Sequence, residues 1–413
     1  MSNNLKKFVC PKFTRTIDPV LMARLFERHS DLLGDFDLQA LRGDADGARC
    51  ALEAFFAGPE EHCPDGLVAD LHRVADLGTA HGLRIMLDQS RRMGIALPPE
   101  GSPDGDGRRQ DPKHVALRVF LDHPRVFEAA ADMLALKARS KLAEFGGAYA
   151  GVEADLGAAR REAFEAGAAK MFEADHCGRY CRVGWYEDGD SVNLVLTHGS
   201  IVRTTAILRD DEERLVSYRA AQNAVLSYSA ATGRIRIGGG SSLRRSALAE
   251  LFADRMLDRS GFFSGPDAQN LYTLEPIERA GCGFVFNHAF DPAIRSVRIV
   301  EAQADQLGAD RLTGDVRPAS TSLTRDSRGG ALVRLAETMR SPSFGRDWRL
   351  RQITIRVKLD TDVGRPGQVT VTIKPPARAA FARHQFEDRI LSLLHRNGLI
   401  HDRHACSAAF AAE

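Results

Sequence analysis

The hydrophobic periodicity of the chain changes near residue 176. Upstream, apolar residues recur at helical spacing; downstream, they alternate along short runs broken by Gly and Asx turns. A sequence with one period in its first half and another in its second cannot form a single bundle or a single sandwich. It predicts an α+β fold: a helical N-terminal region followed by a mixed α+β region with mostly antiparallel sheet.

In the first half, Leu21, Leu25, Phe26 and His29 share a helical face, as do Leu52, Phe55 and Phe56, and then Leu67, Leu71, Val74 and Leu77. Residues 96–112, rich in Pro, Gly and charge, read as a flexible linker because little apolar area there could offset the cost of ordering. Helices are expected to resume at Lys113, with a second from Val126 to about Phe145 and a long Ala-rich one from Val152 to about Ala174. The expected organisation is therefore a helical region at 1–95, the linker at 96–112, a helical region at 113–175 and an α+β region at 176–413. The last divides into subdomains at 176–310 and 345–413.

Asp188-Gly189 is a hairpin signal between Cys181–Tyr186 and Val192–Leu196. Further strands are expected at Ile201–Leu208, Arg214–Tyr218, Ala224–Ser229, Arg234–Ile237, Gly283–Asn287 and Ile294–Ala302, with a helix from Leu243 to about Leu257. Near the C-terminus, Ile353, Ile355, Val357 and Leu359 point one way while Thr354, Arg356 and Lys358 point the other. Val369, Val371 and Ile373 repeat the pattern, and a helix is expected from about Ala379 to Arg396, ending at Asn397-Gly398.

Composition excludes several classes. No run approaches the ~20 apolar residues needed to cross a bilayer, so no membrane partner is expected, and the N-terminus carries no apolar core of signal-peptide length. Seven cysteines without framework spacing fit reduced thiols, and the expected compartment is the cytoplasm. Arginine far outnumbers lysine, as a GC-rich bacterial genome produces. The net charge of +1 gives no global field toward a polyanion.

Local charge says more. Arg349, Arg351, Arg356, Lys358, Lys374, Arg378 and Arg383 fall in one hairpin-plus-helix unit, a face that could track a phosphate backbone or simply guard an edge against aggregation. Arg234, Arg236, Arg244 and Arg245 form a smaller basic cluster around Gly238-Gly239-Gly240-Ser241-Ser242. That Gly-rich loop follows a strand and opens a helix. It either cradles a phosphate or is a tight turn with a serine N-cap, and it lacks the lysine of a P-loop.

Other constellations are sparser. His176, Cys177 and Cys181 fall one short of a structural zinc set, with His198 or Cys282 as the remaining donors, and no metal or cofactor is expected. Arg24…His29, Arg118…His123 and Arg396…His401 repeat one spacing that could serve general acid–base cleavage of RNA. Asp291, Glu301 and Gln303 loosely match a metal-dependent nuclease core, without its lysine.

No dense catalytic constellation emerges, which leans away from an enzyme. The expected function is a cytoplasmic bacterial recognition protein contacting nucleic acid through the basic C-terminal hairpin and helix. The alternatives are a nuclease or other phosphate-handling hydrolase, and a non-catalytic scaffold in a larger assembly of the antiviral-defence or mobile-element type, where the partner is another protein. The long Ala-rich helix also permits homo-oligomers.

Overall fold

In the helical segment, each helix start carries its own signal. Asp18, Asp44, Thr79 and Asp111 accept hydrogen bonds from backbone N–H groups of the first turns of α1 (Pro19–Glu27), α2 (Ala45–Ala57), α4 (Ala80–Arg92) and α5 (Pro112–Asp122). Pro19 and Pro112 occupy first-turn positions where no N–H is needed. A computed structural model describes residues 17–34, 36–58, 63–97, 111–138, 142–189, 191–209, 212–309, 315–340, 344, 347–360, 367–381 and 386–401. The expected linker lies almost wholly outside them, and so does Arg383.

The chain divides into two compact units, 1–135 and 136–413. The first holds α1, α2, α3 (Asp65–Leu77), α4, α5 and most of α6 (Pro124–Ala138). Phe26 is its centre, with the rings of Phe55 and Phe36 at 4.9 and 5.4 Å. Burying such a ring contributes about 1.5–3 kcal/mol.

The second unit contains two five-stranded antiparallel sheets and a separate ribbon. Sheet one has the order β1-β7-β6-β3-β2: β1 (Ala143–Gly146), β2 (Cys181–Asp188), β3 (Ser191–Gly199), β6 (Ala221–Ser229) and β7 (Arg234–Gly238). Its inner face buries Phe145, Leu194, Leu226, Ile235 and Ile237 against α7 (Ala158–Ala174) and α8 (Ser242–Met256), which supply Phe164, Phe172 and Phe252. Sheet two has the order β12-β11-β10-β8-β9: β8 (Ile294–Ala309), β9 (Val316–Arg325), β10 (Trp348–Leu359), β11 (Gly367–Lys374) and β12 (Arg378–Ala380). Its inner face is covered by α9 (Glu275–Ala280), α10 (Ala331–Met339) and α11 (Glu387–Arg396). Ile353, Ile355, Val357 and Leu359 all point into this core, while the opposite face of the sheet carries Thr, Gln and charged residues.

The third sheet is the two-stranded ribbon of β4 (Arg203–Arg209) and β5 (Glu212–Tyr218), inserted between adjacent strands β3 and β6. Ser200 N–H to Ala220 C=O (2.7 Å) closes its neck. Every residue of β5 is exposed, including Leu215 and Tyr218.

Several elements differ from the expectation. The helix predicted to reach Phe145 is described to Ala138 and does not extend to Phe145. Residues 143–146 instead form β1, because Phe145 is needed opposite Ile235 on the buried face of sheet one. Gly283–Asn287 is no strand: a 3-10 turn at Gly281–Gly283 precedes it, and Phe286 packs onto the sheet-two core without a strand partner. The helix expected from Ala379 starts at Glu387, and the residues before it pair as β12 with β11. Strand β8 runs seven residues past the expected Ala302, to Ala309, while β9 and α10 had no predicted counterpart.

Candidate functional site

The register of sheet two brings part of the expected basic set together. On its solvent face Arg356 stands directly opposite Arg298 of β8, and Lys374 opposite Arg378 of β12. Lys358 lies two residues beyond Arg356 on the same face. Like charges at directly opposed positions destabilise a sheet. Among the described residues no carboxylate lies within ion-pair reach of any of these five cations. Arg298 and Arg356 instead donate to main-chain carbonyls of the turn at 326–330, at Arg328 (3.4 Å) and Ser327 (3.2 Å).

Arg349 and Arg351 lie toward the start of β10, far along the strand from Arg356, but Arg351 neighbours Gln352, the level at which Lys374 and Arg378 stand because Ile353 pairs with Ile373. Arg349 is the partner of Asp305 there, and Arg351 Nη1 lies 3.7 Å from the Asp305 carboxylate. The solvent face thus carries two separate cationic pairs, Arg298–Arg356 toward the Lys358 end and Lys374–Arg378 beside the Arg351–Asp305 pair.

Arg244 and Arg245 belong to a different layer, at the start of α8. Arg244 pairs with Asp175 at 2.7 Å and Arg245 donates to Gly240 C=O at 2.8 Å. The Gly-rich loop is explained by the chain itself. Ser241 accepts from Arg244 N–H as an N-cap, with Ser242 beginning the helix. Gly239 has φ +93°, and a Cβ there would meet Asn223 O at 2.8 Å. Gly238 closes β7, and Gly240 also has positive φ.

The remaining candidates are held apart. Cys181 and His198 are cross-strand partners, but His198 stacks on Phe172 (3.8 Å) and its Nδ1 lies 2.7 Å from Gly199 O, while Cys177 receives a hydrogen bond from Arg244. Burial pushes the Cys181 thiol up to about 11, with the Glu165 carboxylate adding to it, and burial lowers His198. Among the described residues no three His, Cys, Asp or Glu side chains gather as metal ligands. Asp291 caps its own turn and faces Arg389, whereas Glu301 binds Arg325 (2.6 Å) and Gln352 (3.2 Å). In the Arg–His spacings, Arg24 pairs with Asp122, His29 with Asp70, Arg118 meets His114, and Arg396 lies over Phe290.

The fold also builds a cleft. The polar face of sheet one carries a cross-strand row of Tyr186, Asn193, Ser227, Arg236 and Glu144, each opposite the next. Facing it, α11 presents Asp388, Ser392 and His395 at i, i+4 and i+7, the stripe opposite its buried Ile390, Leu393 and Leu394. Between the two walls lies a cavity of about 480 Å³, within the range of small-molecule sites. At its base Glu144, only 3 % exposed, accepts a hydrogen bond from the buried Tyr272 hydroxyl. Arg236 is held by Glu387 and Ser227, and Arg234 by the His401 carbonyl with its guanidinium 5.8 Å from the Tyr272 ring centre. Of its lining, Arg234 and Arg236 carried a signal in the sequence as part of the basic cluster around the Gly-rich loop, and His401 as the second member of the Arg396…His401 spacing. Glu144, Tyr272 and Asp388 are too far apart along the chain to form a motif. The polar stripe of α11 is the one further feature that its helical spacing exposes.

No helix among the described residues is long and apolar enough to cross a membrane. No protein-family model, curated protein or solved structure matches the chain.

Proposed function

We propose that this chain is a recognition protein that binds nucleic acid on the solvent face of sheet two, through Arg298, Arg356, Lys358, Lys374 and Arg378. The observation that carries this reading is two pairs of directly opposed like charges, Arg356 with Arg298 and Lys374 with Arg378, with no carboxylate in reach among the described residues. A sheet gains nothing in stability from that arrangement, whereas a phosphate backbone laid across it would neutralise both pairs at once. Arg351, Arg244 and Arg245 are left out, since their charges or donors are engaged within the fold, and Arg349 because the register sets it opposite Asp305. An intracellular bacterial setting, suggested by the composition, belongs to the same reading.

The test is equilibrium binding of labelled single- and double-stranded DNA and RNA to the full chain at low salt. Binding that weakens when Arg298 and Arg356 are both changed to Gln supports the reading. Equal binding by that variant sinks it.

A second reading, a phosphate-handling hydrolase, is favoured by the cleft, where a buried carboxylate, a tyrosine and His395 meet two arginines around an open volume. It requires turnover of a phosphodiester such as bis(p-nitrophenyl) phosphate, lost in His395→Gln while the fold is retained. A chain with no turnover under any metal condition excludes it.

A further inference from the structure

Strand β9 pairs with β8 only from Glu301 onward, so between Ile294 and Val300 the outer edge of β8 has no β9 partner. Among the described residues that edge meets only the turn after β9, through the Ile299–Gly330 bridge and Asp326 N–H to Val300 C=O (2.8 Å). Beside the turn opens a pocket of about 210 Å³, walled by Phe284, Phe286, Val297, Leu332, Val333 and Cys282. Arg298 and Arg328 also line it, so the pocket is apolar within and cationic at its border. Phe284 and Phe286 are edge-to-face at 5.0 Å, and Phe284 is half-buried. Arg298 belongs at once to this pocket and to the opposed pair with Arg356 on the basic face.

We infer that this pocket takes an unpaired nucleobase from a strand whose phosphates lie on the basic face, so that the site selects single-stranded nucleic acid. The inference rests on the nucleic-acid reading and adds its substrate class. An unpaired base has an aromatic face to stack on a phenyl ring or a guanidinium plane, and polar edges that an open strand margin can meet. A base within a duplex is stacked and paired and offers neither. The phosphates flanking an inserted base would fall beside Arg298 and Arg328, which gives those cations a use beyond the turn carbonyl that Arg298 contacts.

The test compares a 20-nucleotide labelled single strand with its duplex at one salt concentration, using the full chain and Val333→Trp. Val333 lines the pocket but is 48 % exposed on α10, so the larger ring fills the space without entering the core and leaves every cation in place. The native chain should favour the single strand by about tenfold or more. Val333→Trp should lose that preference while keeping its salt dependence. The single strand, unlike the duplex, should also slow alkylation of Cys282, read by peptide mass spectrometry. Equal affinity for both forms, or a preference that survives in Val333→Trp, overturns the base pocket and leaves the basic face standing. Failure of both probes to bind at low salt overturns both together.

Discussion

Replacing Arg356, Lys358 and Lys374 together by Gln tests how the basic face works, and its effect can be worked out beforehand. The three side chains point to solvent on one sheet face and have no carboxylate partner among the described residues, so their removal should leave the fold intact. If each of the five cations neutralises one phosphate, a single strand should bind with a log–log salt slope of about −3.5, at about −0.7 per contact. The variant keeps Arg298 and Arg378, and its slope should be about −1.4. Over a fourfold rise in salt the native chain should lose about a hundredfold in affinity and the variant only about sevenfold. Fluorescence anisotropy across that range, with thermal melting to confirm the fold, gives both slopes. Equal slopes, with weaker binding at every salt concentration, would show that the residues act other than by ion release and would refute the face as an electrostatic platform.

Three further outcomes concern the fold and its titrating groups. Burial depresses His198 in the folded state, so the unfolded chain binds more protons; stability should fall as pH drops below about 6.5, and His198→Gln should flatten that fall in urea titrations. With its thiol pushed up to about 11, Cys181 should alkylate far more slowly at pH 8 than the exposed Cys50, its rate climbing about tenfold per pH unit as the thiolate forms. Tyr228 is fully buried and its hydroxyl donates to Val152 C=O at 2.6 Å. Tyr228→Phe strands that carbonyl and should cost about 1–3 kcal/mol in chemical denaturation.

Where the sequence carried a strong local period or turn, the structure follows it. The Asp188-Gly189 hairpin, the β6–β7 hairpin and the Ile353–Leu359 register are present as expected. What escaped lacks a local signal. A strand of four residues such as β1 has no room to show alternation, and Ala-Glu-Phe reads as easily as the end of a helix. Strand β9 is exposed along most of its length, so burial never imprinted a pattern on it, and Pro318 has no N–H to give the ladder. Helix α10 has no side-chain N-cap, although Leu332, Leu335, Ala336 and Met339 carry helical spacing. The basic hairpin was legible as composition, but Arg298 was not, because only the β8–β10 register sets it opposite Arg356. The β10–β11 register in turn sets Lys374 level with Gln352, beside Arg351, so the basic residues fall into two groups that a count of positive charges cannot resolve.

The β4–β5 ribbon has two edges, and among the described residues neither is paired with another strand. Those edges are unlike. If β4 met the β4 of a second copy, the contact would be its own mirror under a two-fold axis, and assembly would close at two. If β4 met β5, each addition would leave one free edge of each kind, and growth would have no natural end. The Glu212, Glu213 and Arg214 charges on β5 bear on that choice, since a charged margin resists a flat hydrophobic neighbour. Were copies to pair here, stoichiometry would turn on which margin is guarded, and a few side chains on one short strand would separate a finite complex from a fibre.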